Sequence, residues 1–193
     1  MRPLNTQNLL NRRRKKLFEI LKPKAYLESL TNIDLKKLKN KMKIKGIVID
    51  LDNTTVAWGE DDIDVNIKKW INEAKEINIS ICLVSNTLSG RVKKFAEIFN
   101  IPYLSNSFKP FNLSFKKATK ILKTENSETI VIGDQIFTDI LGGNKLNMYT
   151  VLVAPLGKKD SIGTFIQRSL EKLILAYWLK THEVKIEKGN WPK

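Results

Sequence analysis

The 193-residue chain is 42% hydrophobic and 28% charged, the balance of a globular protein with one main domain, and its single cysteine, Cys82, excludes an internal disulfide framework and suits a reducing compartment. Its apolar runs, such as "LILAYWL" at 173–179, fall far short of the roughly 18–20 residues that a membrane-spanning helix needs, and the basic N-terminus lacks the apolar stretch of a secretory signal, so the cytoplasm is the expected location. The formal net charge of +14 is carried by the ends: 14 basic and 3 acidic residues in 1–46, 12 and 13 in 47–157, 8 and 4 in 158–193.

That distribution divides the chain into a basic N-terminal segment (1–24), a central domain (25–157) and a C-terminal amphipathic helix with a tail (158–193). Basic flanks around a neutral centre suit contact with an anionic partner, with solvated lysines as the plain alternative. In chain order, "NLLNRRRKKLFEILKPK" (8–24) sets Leu9, Leu10, Leu17, Phe18, Ile20 and Leu21 around five consecutive basic residues, 12–16. Candidate strands follow at "GIVIDL" (46–51), "ISICLVS" (79–85), "PYLS" (102–105), "TIVIG" (129–133) and "YTVLVA" (149–154). They are almost continuously apolar, the pattern of strands buried on both faces. Helical spacing fills the gaps: Ile67, Trp70, Ile71, Ala74 and Ile77; Val92, Phe95, Ala96 and Phe99; Phe115, Ala118, Ile121 and Leu122; Ile140 and Leu141. Five strands alternating with four helices predict an α/β fold, a mostly parallel sheet covered by helices on both faces. Beyond it, Ile162, Phe165, Ile166, Leu170, Leu173, Ile174 and Tyr177 form a helical stripe, with Leu175, Trp178 and Leu179 outside it. One face suffices to pack on the domain; the surplus apolar area asks for another partner.

Polar groups gather where the strands end, which is where open α/β sheets bind ligands. Asp50 and Asp52 close the first strand; Ser85 and Asn86 close the second; Lys109 follows the third in "SFKP"; Asp134 and Asp139 lie in "VIGDQIFTDI". Taken singly, each has a plain reading: Asp50 and Asp52 as a strand-end turn, Ser85 and Asn86 as an Asx or Ser turn, Lys109 as a surface lysine, Asp134 as a turn residue and Asp139 as a helix-start acid. Together they form an inventory for phosphoryl transfer: hard oxygen ligands for Mg²⁺, a spare carboxylate as nucleophile, a lysine and a hydroxyl. Cys82 and the lone His182 carry no expected role.

The segments "DLDNT", "SN", "KP" and "GDQIFTD", in this order and each after a strand, resemble the four motifs of the haloacid dehalogenase (HAD) superfamily. The longer stretches "KGIVIDLDNTTVAW", "RVKKFAEIFNIPYLSNSFKP" and "VIGDQIFTDILGGNKLNMYTVLV" resemble its subfamily IIIA phosphatases of the YqeG type, relatives of phosphatidylglycerophosphate phosphatases. The resemblance spans roughly residues 25–170 and implies a HAD-like, Rossmann-like sheet. It departs at Thr55, where an apolar residue is expected. Asp50 is then expected as the nucleophile that forms an aspartyl-phosphate and Asp52 as the general acid and base. Thr54, Ser85, Asn86 and Lys109 are expected around the phosphate, and Lys109 also offsets charge in the transition state. Mg²⁺ is expected on Asp50, the carbonyl of Asp52 and Asp134, with Asp139 acting through water or on Asp134.

Thirty residues separate Thr54 from Ser85 and 23 separate Ser85 from Lys109, lengths that one helix and one strand consume. HAD cap domains are inserted at these two points, so no large cap and an open pocket are expected. An open pocket suits a phosphate carried by something large or membrane-borne, a lipid phosphate such as phosphatidylglycerophosphate first. The alternatives are the same chemistry on RNA, on a ribosome-linked substrate or on a small molecule, with phosphate contacts from the basic N-terminus, and a non-enzymatic binding protein on the same scaffold. The basic and amphipathic ends predict peripheral contact with an anionic membrane. Nothing in the sequence fixes an oligomeric state.

Overall fold

The computed structural model describes residues 18–157 and 165–192. Seven strands, β1 (Ala25–Leu27), β2 (Gly46–Ile49), β3 (Ser80–Val84), β4 (Tyr103–Leu104), β5 (Thr129–Gly133), β6 (Tyr149–Val153) and β7 (Ile186–Glu187), form one sheet in the order β4-β3-β2-β5-β6-β1-β7. Every pairing is parallel. The helices are α1 (Leu35–Asn40), α2 (Val65–Glu76), α3 (Ser89–Phe99), α4 (Asn112–Leu122), α5 (Leu141–Lys145) and α6 (Phe165–Lys180), and a π-helical turn, Ile136–Ile140, runs into α5.

All five predicted strands are present, and β1 and β7 are additions at one edge. With three and two residues, they are too short to show a period in sequence, and pairing, of β1 with β6 and of β7 with β1, rather than propensity makes them strands.

The apolar continuity of the central strands follows from burial on both sides. Ile47, Ile49, Ile81, Leu83, Ile130 and Ile132 pack with Trp70, Ile71, Phe95 and Phe99 of α2 and α3. The alternate residues Val48, Cys82, Val84 and Val131 pack with Phe115, Ala118 and Leu122 of α4. Burial pushes the Cys82 thiol up to about 12, in keeping with a core residue without chemistry, and His182 is exposed. Thr54 to Ser85 is spanned by a loop, α2 and β3, and Ser85 to Lys109 by α3 and β4, so neither cap insertion point holds a domain.

The ends are the part of the fold that hydropathy reads least well. The face of α6 that turns inward carries Arg168, Glu171 and Trp178, with Trp178 wholly buried beside Leu21, Ile136 and Leu152. Most of the apolar stripe faces out: Ile166, Leu170, Leu173 and Tyr177 are exposed. Arg168 and Glu171 find buried polar partners at the end of β5, which an isoleucine or leucine could not replace. Phe18 stands edge-on to Tyr177 and Trp178 at ring-centroid distances of 6.1 and 6.3 Å, and Lys22 Nζ pairs with Glu183 at 2.6 Å. The basic run 12–16 and Ile162 lie outside the described residues.

Candidate active site

β2 delivers the first carboxylate. The Asp50 amide donates to the Ile132 carbonyl at 3.0 Å, the last rung before the chain leaves the sheet. The next turn is tight: the amides of Thr54, Thr55 and Val56 all donate to the Leu51 carbonyl, at 3.3, 2.9 and 3.1 Å, and Asn53 takes a left-handed φ of 62°. Asparagine tolerates that conformation better than most residues. Thr55, the departure from the family pattern, is fully buried, and its hydroxyl donates to the Leu51 carbonyl at 3.0 Å, so the turn itself satisfies the extra polar atom.

The loop turns the two aspartates in different directions. Asp52 accepts from Thr87 Oγ1 in the β3–α3 connection at 2.5 Å and from Arg91 Nε in the first turn of α3 at 2.9 Å. Asp50 faces inward to Lys109, whose Nζ lies 2.6 Å from Asp50 Oδ1 and 2.6 Å from Asp139 Oδ1. Ser85 Oγ accepts from the Thr87 amide at 3.2 Å. Asn86, expected near the phosphate, grips the main chain of Lys109: its Oδ1 accepts from the Lys109 amide at 2.7 Å and its Nδ2 donates to the Lys109 carbonyl at 3.2 Å. Asn86 thereby places the lysine.

β5 supplies the other side. Asp134 follows Gly133, and the π-helical turn brings Asp139 back over that glycine: a Cβ on Gly133 would lie 2.3 Å from Asp139 Cγ. Only a residue without a side chain permits this approach. Asp139 Oδ2 accepts from the Gln135 amide and from Thr138 Oγ1, each at 3.3 Å. Thr54 Oγ1 donates to Asp134 Oδ1 at 3.2 Å, and Arg168 of α6 pairs with Asp134 Oδ2.

Asp50, Asp134 and Asp139 each place one carboxylate oxygen within 4.8 Å of the others. All three are buried, and the cations against them are Lys109 and Arg168, so three negative charges meet two positive ones. Burial, with Asp139 and Asp134 adding repulsion against the pull of Lys109, raises Asp50 to about 8. Burial likewise raises Asp134 to about 7, with Arg168 opposing. Burial alone would lower Lys109, but the Asp139 and Asp50 carboxylates outweigh it and hold the ammonium charged. Hard oxygen donors with an uncompensated negative charge fit a divalent cation. Asp52 contributes no carboxylate oxygen to this cluster.

Asp50, Asp52, Ser85, Asn86 and Lys109 open onto a cavity of about 440 Å³, and Trp58, Leu88 and Gln167 also line it. The structure therefore gathers every expected site residue at one end of the sheet. The sequence reading had not singled out Thr87, Arg91, Gln167, Arg168 or Glu171. Arg91 carries a faint signal in its place six residues after Ser85. The polar set of Gln167, Arg168 and Glu171 within an apolar helix is the hint for those three, and Thr87 carries none.

This fold and site define a HAD-type phosphatase. The family model described as "Mitochondrial PGP phosphatase" matches residues 3–156, and the chain belongs to that family. It is 36% identical over 154 residues to a probable phosphatase, YqeG, of Bacillus subtilis, covering 80% of this chain and 89% of that protein. It is 29% identical over 170 residues to phosphatidylglycerophosphate phosphatase 1, chloroplastic/mitochondrial, of Arabidopsis thaliana, covering 82% of this chain and 48% of that one. Among solved structures, an uncharacterized protein from Listeria monocytogenes shares the fold at a TM-score of 0.51 and 16% identity, covering 61% of this chain and 85% of the other.

Proposed function

We propose that the chain is a Mg²⁺-dependent phosphomonoester hydrolase that works through an aspartyl-phosphate on Asp50. The observation that carries this reading is Lys109 Nζ held 2.6 Å from both Asp50 and Asp139 at the floor of the open cavity. In the first step an Asp50 oxygen attacks phosphorus, the bond to the leaving oxygen breaks, and Asp52 gives that oxygen a proton. In the second step the Asp52 carboxylate takes a proton from water, the hydroxide displaces Asp50 from phosphorus, and inorganic phosphate leaves with both aspartates restored. Thr87 and Arg91 hold Asp52 at the cavity wall for both transfers. Ser85 binds a phosphoryl oxygen, and the Lys109 ammonium offsets charge on the phosphoryl group and on Asp50. Mg²⁺ held by Asp50, Asp134 and the Asp52 carbonyl would draw charge from the phosphoryl oxygens and keep Asp50 ionised.

A lipid phosphate, phosphatidylglycerophosphate first, is the substrate class this reading favours. Among the described residues no domain is inserted over the cavity, and its mouth is bordered by Trp58 and Leu88, with Phe108 and Phe111 flanking Lys109 in the chain; these residues are 38%, 76%, 72% and 69% exposed. Apolar side chains around a polar pocket suit a head group presented at a bilayer. The exposed stripe on α6 and the basic run 12–16 extend the reading to peripheral binding at the inner face of an anionic membrane. A phosphatase screen with Mg²⁺ across lipid phosphates, nucleotides, RNA ends, sugar phosphates and phosphopeptides tests the substrate class. Release of phosphate from phosphatidylglycerophosphate in anionic vesicles above all the others supports it, and preference for a soluble substrate refutes it.

A further inference from the structure

The matched family region ends at residue 156, so α6 lies beyond it, yet α6 reaches the site. Arg168 is 9% exposed, and its guanidinium straddles one residue: Nη1 donates to the Asp134 carbonyl at 2.8 Å while Nη2 pairs with the Asp134 carboxylate. Gripping main chain and side chain of the same aspartate fixes its rotamer, which a single point contact cannot do. Thr54 holds the other carboxylate oxygen from the first loop.

Arg168 is itself held. Glu171, 5% exposed, lies 3.5 Å from Arg168 Nη1 through Oε2, and its Oε1 accepts from the Phe137 amide at 2.9 Å. Gln167 Nε2 donates to that same Oε1 and to Gln135 Oε1, each at 3.3 Å. The first turns of α6 are thus tied to the segment 135–137, which leads directly into Asp139, and Trp178 anchors the helix two turns further on. A buried ion pair is a poor device for stability, because desolvation cancels much of its attraction. Its value here lies in direction.

We propose that Arg168, oriented by Glu171, is a positioning residue that holds Asp134 ready for a divalent cation, making α6 part of the metal centre. This rests on the reading of Asp134 as a metal ligand. Residues that orient a metal ligand are worth about 10- to 100-fold in metal affinity. A purely coulombic view gives the opposite sign, since removing a cation beside the site would tighten binding.

The test is calorimetric titration of Mg²⁺ and Mn²⁺ into the full-length chain carrying Asp134→Asn, Arg168→Met, Arg168→Lys or Glu171→Gln, with the melting temperature of each taken without metal. Arg168→Met should weaken binding by about 10- to 100-fold. Arg168→Lys, which keeps the charge but not the fork, should recover only part of that loss, and Glu171→Gln should weaken binding by a smaller factor. A helix with a merely structural role would lower the melting temperature and leave the metal Kd where it was. Unchanged or tighter binding in Arg168→Met overturns the proposal, and if that variant does not fold, unchanged binding in Glu171→Gln does so. Unchanged binding in Asp134→Asn removes the ligand reading and this proposal with it; weakened binding there beside unchanged binding in the Arg168 variant removes this proposal alone.

Discussion

The two sides of the site are built differently. On the β2–β3–β4 side, Asp52, Ser85 and Lys109 face the open cavity from loops directly after strands. On the β5 side, Asp134 and Asp139 are 4% and 2% exposed and enclosed by Thr54, Gln135, Thr138 and Arg168. The open side keeps groups available to a substrate, and the enclosed side concentrates charge that a cation can balance. Two side chains join them: Lys109 through Asp50 and Asp139, and Thr54 through Asp134.

The largest effect is expected where the open side meets phosphorus. Asp50→Asn should abolish phosphatase activity, because phosphate monoesters are among the slowest substrates to react without catalysis. Activity at the wild-type level, with deamidation excluded by mass spectrometry, would remove Asp50 from its role. Next comes the joint between the two sides. Lys109→Ala should cost roughly 10²-fold or more in kcat, as loss of a preorganised charge does; a change confined to KM would make the lysine a binding group only.

Gly133→Ala probes the enclosed side without removing a charged group. A methyl placed 2.3 Å from Asp139 Cγ must displace that carboxylate from Lys109, at about 1–3 kcal/mol of overpacking. Chemical denaturation should register the loss, together with weaker Mg²⁺ activation than in wild type. Unaltered stability would mean that Asp139 moves freely.

A pH dependence belongs to the enclosed charge. Asp50 at about 8 and Asp134 at about 7 bind protons more tightly in the folded chain than in the unfolded one, where an aspartate titrates near 3.9. Between those values the folded state holds more protons, so metal-free stability falls as pH rises from about 4 to 8. Metal must displace those protons, so Mg²⁺ affinity should rise over the upper part of that range. Melting curves at pH 5 and pH 8.5 should show the drop without metal and a smaller one with excess Mg²⁺; an identical drop in both would separate the acids from the metal.

The open side was legible in sequence and the enclosed side only in part, for a physical reason. Asp50, Ser85, Lys109 and Asp134 each follow a strand whose apolar run announces where it ends, so position alone assigns them to one edge. Arg168 carries no such marker: it lies in a helix whose visible stripe, Ile166, Leu170, Leu173 and Tyr177, faces away from the core. Hydropathy selects the face that would bury the most carbon, whereas α6 turns inward the face that meets Asp134. The short strands β1 and β7 were equally silent, because pairing rather than periodicity makes them.

In the proposed chemistry, phosphate is accepted by Asp50 beside a cation bound by the enclosed acids. ¹⁹F NMR with beryllofluoride, which mimics the acyl-phosphate, tests it directly. Wild-type protein with Mg²⁺ should give bound fluoride resonances that vanish in EDTA and in Asp50→Asn, while Ser85→Ala keeps them. Bound resonances that persist in Asp50→Asn, or that form equally well in EDTA, would contradict the account.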